Sequence, residues 1–218
     1  MPIRRLLATS LLFVAMGSAL ALTPPTEQQV NAFFRAVQMD DASTVRKMVG
    51  TVVNANELNP LGGEPALVLA IREGSREVVA ALLRHPGTDL ERQAVNGNTA
   101  LMMAAFKRDE EVVRALLAKG AKVNQPGWTA LHYAAASGDV AIAQLLIERG
   151  AQVNALSPRP SGAVTPLMMA AREGQDGIVR LLLAKGANAG LKNTEGFTAA
   201  QLAKQAGHDK LAGQLSSR

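Results

Sequence analysis

Six stretches of this chain can be laid under one another: "NAFFRAVQMDD" at 31, "PALVLAIREGS" at 65, "TALMMAAFKRD" at 99, "TALHYAAASGD" at 129, "TPLMMAAREGQ" at 165 and "TAAQLAKQAGH" at 198. Their starts lie 34, 34, 30, 36 and 33 residues apart. Each is followed by a second apolar segment such as "VVAALL", "VVRALL", "AIAQLL" or "GIVRLLL". A period near 33 constrains the fold more than any local motif, because one unit of that size cannot bury its own apolar faces. Neighbouring units must supply the missing half of the core, so stability becomes a sum over adjacent interfaces.

Within a unit, the residues specify two helices and a turn. From Thr129, the residues Leu131, Ala134 and Ala135 fall on one helical face, and the small alanines let a neighbouring helix approach. Gly138 is suited to the left-handed conformation that ends a first helix. Asp139 is placed to cap the second helix, and Asp41, Ser75 and Asp109 occupy the same place in other units, whereas Gln175 and His208 are poorer caps. Ala141, Ile142, Leu145 and Leu146 form the expected buried stripe of the second helix, which Gly150 ends as Gly120 and Gly186 do elsewhere. Aromatic residues are only 3% of the chain, so the core is built from alanine, leucine, valine and methionine. The end units differ from the rest. The first carries Phe33, Phe34 and Arg35, and the last has Ala200, Gln201 and a short polar second helix, "DKLAGQL". Both read as capping repeats. Residues 22–30, "LTPPTEQQV", are expected to be a leader kept extended by its prolines.

The N-terminal stretch "MPIRRLLATSLLFVAMGSALA" has the layout of a secretory signal: Arg4 and Arg5, an apolar run from Leu6 to Ala15, then Ala19-Leu20-Ala21. Cleavage is expected after Ala21, with the product in the periplasm and without a stable membrane anchor. A retained anchor is the alternative. The arginine pair leaves the general and twin-arginine export routes both open. Cleavage brings the 23 basic residues down to 21 against 18 acidic ones, so the basic character of the whole chain overstates that of the product. No basic tract interleaved with aromatics occurs, and nucleic acid is not an expected partner.

These units resemble the ankyrin repeat, whose pattern is Thr-Pro-Leu-His-x-Ala-Ala, a glycine, a Val-Val-x-Leu-Leu helix, then Gly-Ala-x-Val-Asn. "TPLMMAAREG" and "TALHYAAASGD" match closely, and "KGAKVN", "RGAQVN" and "KGANAG" close three units. The resemblance covers about residues 31–215. It implies an all-α solenoid of about six helix-turn-helix repeats joined by short hairpin-like fingers. It also implies that His132 supports the start of its helix by bonding locally to backbone and threonine.

Several other chemistries are a poor match. Ser137 is a turn residue before Gly138, with no nucleophile-elbow motif around it. "NPLGGEPA" lacks the Gly-Lys-Ser/Thr of a phosphate loop, and "RDEEVV" at 108–113 reads as a cap and an acidic first helical turn. His85, His132 and His208 stand at non-equivalent places in three repeats, which does not make a metal site. The chain lacks cysteine. The pairs Met102-Met103 and Met168-Met169 are expected to fill core gaps.

The expectation is therefore a non-catalytic, cofactor-free, monomeric protein that binds another protein. It would act as a scaffold or accessory partner, or alternatively as an inhibitor or immunity-type protein that blocks a toxin or hydrolase. The resemblance implies binding along the concave side. Position by position, that side would hold Asn98, Trp128, Val164 and Phe197 beside the finger glycines, and Phe106, Lys107, Ala136, Ser137, Arg172 and Glu173 on the first helices. The aromatics among them either anchor a partner or pack on the neighbouring finger. Only two residues separate Asn124 from Gly127, whereas seven separate Asn154 from Gly162. The expectation is a notch beside Trp128 and a raised finger in which Pro158 and Pro160 hold Arg159 outward. This irregularity is either a partner site or loop drift.

Overall fold

The computed structural model describes residues 24–216; the expected signal segment 1–21 lies outside the described residues. Among the described residues the helices come in six pairs: α1 (Glu27–Gln38) with α2 (Ala42–Met48), α3 (Ala66–Glu73) with α4 (Arg76–Arg84), α5 (Ala100–Phe106) with α6 (Glu110–Ala118), α7 (Ala130–Ser137) with α8 (Val140–Glu148), α9 (Pro166–Arg172) with α10 (Asp176–Ala184), and α11 (Ala199–Gln205) with α12 (Asp209–Ser216). The first helices stack in chain order, α1 on α3 and so on to α9 on α11. The second helices form the other layer, with α2 on α4, α6 on α8 and α8 on α10. One contiguous apolar cluster runs from Phe33 to Leu215. Ala104, Ala105, Ala134, Ala135, Ala170 and Ala171 are completely buried, which is what lets the first helices pack closely.

The turn between paired helices always passes through a left-handed residue. That residue is a glycine in four repeats, but Asp40 (φ 56°) and Arg108 (φ 58°) in the first and third. Asp41, Asp109 and Asp139 cap the second helices, accepting from the N–H groups of Thr44, Val112 and Ile142 at 3.0, 3.2 and 2.9 Å. Ser75 does not do this, contrary to expectation. It is buried, and the amide of Val78 donates instead to Asp40 Oδ1 of the preceding repeat, at 2.9 Å. At the other end, Gly120, Gly150 and Gly186 close α6, α8 and α10 alike. The glycine N–H and that of the following alanine return to carbonyls of the last turn, Leu117 and Leu116, Ile147 and Leu146, Leu183 and Leu182.

Two further expectations need correcting. The leader is not extended through residue 30, because α1 begins at Glu27. Thr26 and Gln29 form a reciprocal capping box, so the prolines end where the helix starts and do not oppose it. In α8 the buried stripe is Ile142, Ala143, Leu145 and Leu146, while Ala141 is exposed. Three of the four expected positions are thus buried, and Ala143 takes the place expected for Ala141.

Asparagine side chains stitch the first, third and fourth fingers to the next repeat. Asn124 donates to the Gly150 carbonyl (2.8 Å) and accepts from Gln152 N–H (2.9 Å). Asn154 does the same with Gly186 and Asn188, at 3.2 and 2.8 Å. Asn56 holds Gly87 and Asp89 likewise, at 2.9 and 2.7 Å. The finger tips add backbone bonds, Val95 N–H to Gly63 O (3.0 Å) and Thr194 N–H to Gly162 O (2.8 Å). Among the described residues, no such tip bond joins the short third finger to the second or the fourth.

Candidate partner-binding site

The short third finger delivers Trp128 directly onto the start of α7. Gly127 (φ 89°) allows this turn and also a close approach: a Cβ there would stand 3.0 Å from Pro158 Cγ of the long fourth finger. Trp128 is half-buried and meets the His132 ring edge-on, centroids 5.2 Å apart, and the Tyr133 ring at 6.3 Å. Tyr133 in turn meets Phe106 edge-on at 6.1 Å, and Phe106 is 52% exposed. The chain's only tryptophan and only tyrosine thus share one surface with the most exposed phenylalanine among the described residues. Trp128, His132, Tyr133 and Met169 line an open cleft of about 150 Å³.

His132 forms the floor of the cleft and is fully buried. Its Nδ1 accepts from the Thr129 N–H at 3.2 Å and lies 2.9 Å from the Thr129 hydroxyl. The other nitrogen, Nε2, is therefore the protonated one, and it donates to the Val164 carbonyl at 3.0 Å. The local bonding implied for this histidine is present, with an added bond to the next finger. Burial pushes its pKa down to about 4, opposed by the bonds to the Val164 and Ala155 backbone. The imidazole is neutral near pH 7 and braces the fourth finger against the fourth repeat. The Tyr133 hydroxyl donates to Asn98 Oδ1; burial raises its pKa, and the bond to Asn98 works against that rise.

The candidate residues separate into three groups. Phe106, Lys107, Arg159, Arg172 and Glu173 are exposed, and Trp128, Ala136 and Phe197 are half-buried. Asn98 and Ser137 are half-buried and occupied: Asn98 holds Tyr133, and the Ser137 hydroxyl donates to Ala105 O (3.2 Å) and Ala134 O (3.3 Å). Val164 does not belong on the surface, because its side chain is buried and its carbonyl serves His132. Arg159 opens a short 3₁₀ turn, Arg159–Ser161, on the long fourth finger. Arg172 pairs with Glu173 at 3.1 Å and also reaches Met169 Sδ at 3.4 Å. Phe197 stands at the start of the sixth repeat, three repeats on from Phe106 and outside the ring cluster.

Tyr133 and Met169 were missed. Met102, Met103 and Met168 are core as expected, but Met169 is half-exposed and walls the cleft. Both missed residues occupy the same variable place in the repeat, just after the histidine position, and Leu69 is completely buried there. Composition held one clue, a lone tyrosine five residues after a lone tryptophan.

Among the described residues, no group of three or more His, Asp or Glu side chains is placed to hold a metal ion, and no helix is long and apolar enough to cross a membrane. A family model described as ankyrin repeats in three copies matches residues 33–126 and 86–157, and a single ankyrin-repeat model matches 164–194. The chain is similar to human ankyrin repeat and KH domain-containing protein 1, with 39% identity over 133 residues, 61% of this chain and 4% of that protein. It is similar to the Drosophila melanogaster ankyrin repeat and KH domain-containing protein mask, 39% identical over 131 residues, 60% of this chain and 2% of that one. It is also similar to human transient receptor potential cation channel subfamily A member 1, 31% identical over 87 residues, 40% of this chain and 8% of the channel. The chain therefore spans at most 8% of the length of these three relatives.

Proposed function

The chain belongs to the ankyrin-repeat family, and from that premise we propose that it is a non-catalytic module that binds another protein in the periplasm as a scaffold or accessory partner. Ankyrin repeats mediate protein–protein interaction, which supports a protein partner. The observation that carries the reading is the ring cluster of Phe106, Tyr133 and Trp128, the last two of which line an open cleft on the row of first helices. Partly exposed aromatic residues dominate binding energy at many interfaces because they bring much rigid apolar area at low entropic cost. Export is supported by the basic, apolar and small-residue order of residues 1–21.

The test is an affinity column of the purified protein exposed to a periplasmic extract, beside a Trp128→Ala column. The parent is expected to retain a protein that the variant loses, at a cost of about 2 kcal/mol or more if Trp128 is a hot spot. Equal retention on both columns removes Trp128 from the site. An accessory role predicts that the partner's own activity is kept or raised in the complex. Abolition of that activity would instead favour the inhibitor reading.

A further inference from the structure

The rings of the cleft sit within an uneven set of charges. Lys107 follows Phe106 directly at the end of α5, and Arg159 stands on the finger whose Pro158 packs over Gly127, next to Trp128. Arg172 leans on Met169 in the cleft wall. Of these three cations only Arg172 has a carboxylate partner, Glu173; Lys107 and Arg159 make no ion pair among the described residues. By contrast, Arg72 on α3 is held by both Glu64 (2.8 Å) and Glu73 (3.2 Å). The cleft volume of about 150 Å³ is about what a single benzene ring occupies.

From this juxtaposition we infer that the site takes an acidic segment of its protein partner, seating one aromatic or large aliphatic side chain between Trp128, Tyr133 and Met169 with carboxylates at Lys107 and Arg159. The inference rests on the protein-binding reading and adds the chemistry of the partner. Apolar insertion supplies most of the affinity and the two unpaired cations select the sign of the flanking charge.

Trp128 is the only tryptophan, so its emission reports the cleft directly. The probe is a short synthetic peptide of glutamates around one central phenylalanine, with matched peptides carrying lysines for glutamates or alanine for phenylalanine. The glutamate–phenylalanine peptide is expected to shift the emission saturably. Both matched peptides should bind weaker, and the Lys107→Glu/Arg159→Glu double variant should lose about tenfold in affinity for the first. The affinity should also fall as ionic strength rises from about 0.01 M to about 1 M, where the Debye length shortens from about 30 Å to about 3 Å. Lys107 and Arg159 are exposed, so the double variant is expected to keep the far-ultraviolet circular dichroism of the parent. Equal binding of the lysine peptide, no saturable shift, or unchanged affinity in the double variant would overturn the inference. A protein retained by the parent column and bound equally by the double variant would overturn it while leaving the protein-binding reading intact. Retention of no protein at all by the parent would overturn both.

Discussion

Acidification should loosen this array through one side chain, His132. Its imidazole is completely buried, with Nδ1 facing the Thr129 N–H and Nε2 on the Val164 carbonyl. A proton on Nδ1 has to be accommodated without water. Burial accordingly drops the pKa from 6.5 to about 4. The unfolded chain takes up that proton more readily than the folded one. The stabilisation is thus fully present above about pH 6.5 and is lost as pH falls towards about 4, at about 1.4 kcal/mol per unit. Between pH 7.5 and pH 5 the loss works out at about 2 kcal/mol, a large part of the margin of a small domain. The comparison variant is His132→Met, because Met168 fills the same place in the next repeat and its sulfur lies 3.4 Å from the Thr165 N–H. Urea unfolding followed by Trp128 emission gives the stability of both proteins at each pH. Carboxylates titrate in both, so the difference between the two losses isolates the histidine. A difference below about 0.5 kcal/mol, the usual error of additivity, would refute the argument.

The remaining predictions concern the stitches between repeats. Asn124→Ala removes both bonds to the Gly150–Gln152 turn and should cost about 1–2 kcal/mol in urea unfolding; a neutral result would mean water replaces them without loss. Asp40→Ala loses the bond to Val78 N–H and keeps an unfavourable φ of 56°, whereas Asp40→Gly loses the bond but relieves the backbone, so glycine should be the more stable by about 1 kcal/mol. Equal stabilities would show that the backbone there is not strained. Arg108→Gly relieves the same conformation at φ 58° and gives up only an exposed 3.5 Å pair with Asp139, so it should raise stability by about 0.5–1 kcal/mol. A lowered midpoint would rule that out. Asp139→Ala should cost about 1 kcal/mol by removing the cap on Ile142 N–H.

The repeat architecture was legible because each unit carries its own start and stop signals. Thr99, Thr165 and Thr198 open first helices, Asp109 and Asp139 open second ones, and Gly120, Gly150 and Gly186 close them. These are local rules acting over three or four residues. What escaped was lateral. Asp40 caps a helix 38 residues away, and nothing in the spacing of Ser75 announces that it will be displaced from that duty. Val164 reads as a finger residue by alignment, yet the long fourth finger folds its side chain inward and aims its carbonyl at His132. Tyr133 and Met169 occupy a place that is core in the second and third repeats, at Leu69 and Met103, and half-exposed in the fourth and fifth. The exposed rim was easier to see: Lys107, Arg159, Arg172 and Glu173 lie at turns and helix ends, where long charged side chains reach water.

The truncated third finger has a mechanical corollary. Tip-to-tip backbone bonds fasten the first finger to the second and the fourth to the fifth, whereas among the described residues the third has none with either neighbour. The third finger is instead tied to the second by side chains: Glu91 accepts from the Lys122 N–H at 2.8 Å and from the Gln125 amide, and Gln93 donates to Gln125 at 3.3 Å. A single carboxylate, one repeat back, thus anchors the finger that ends in Trp128.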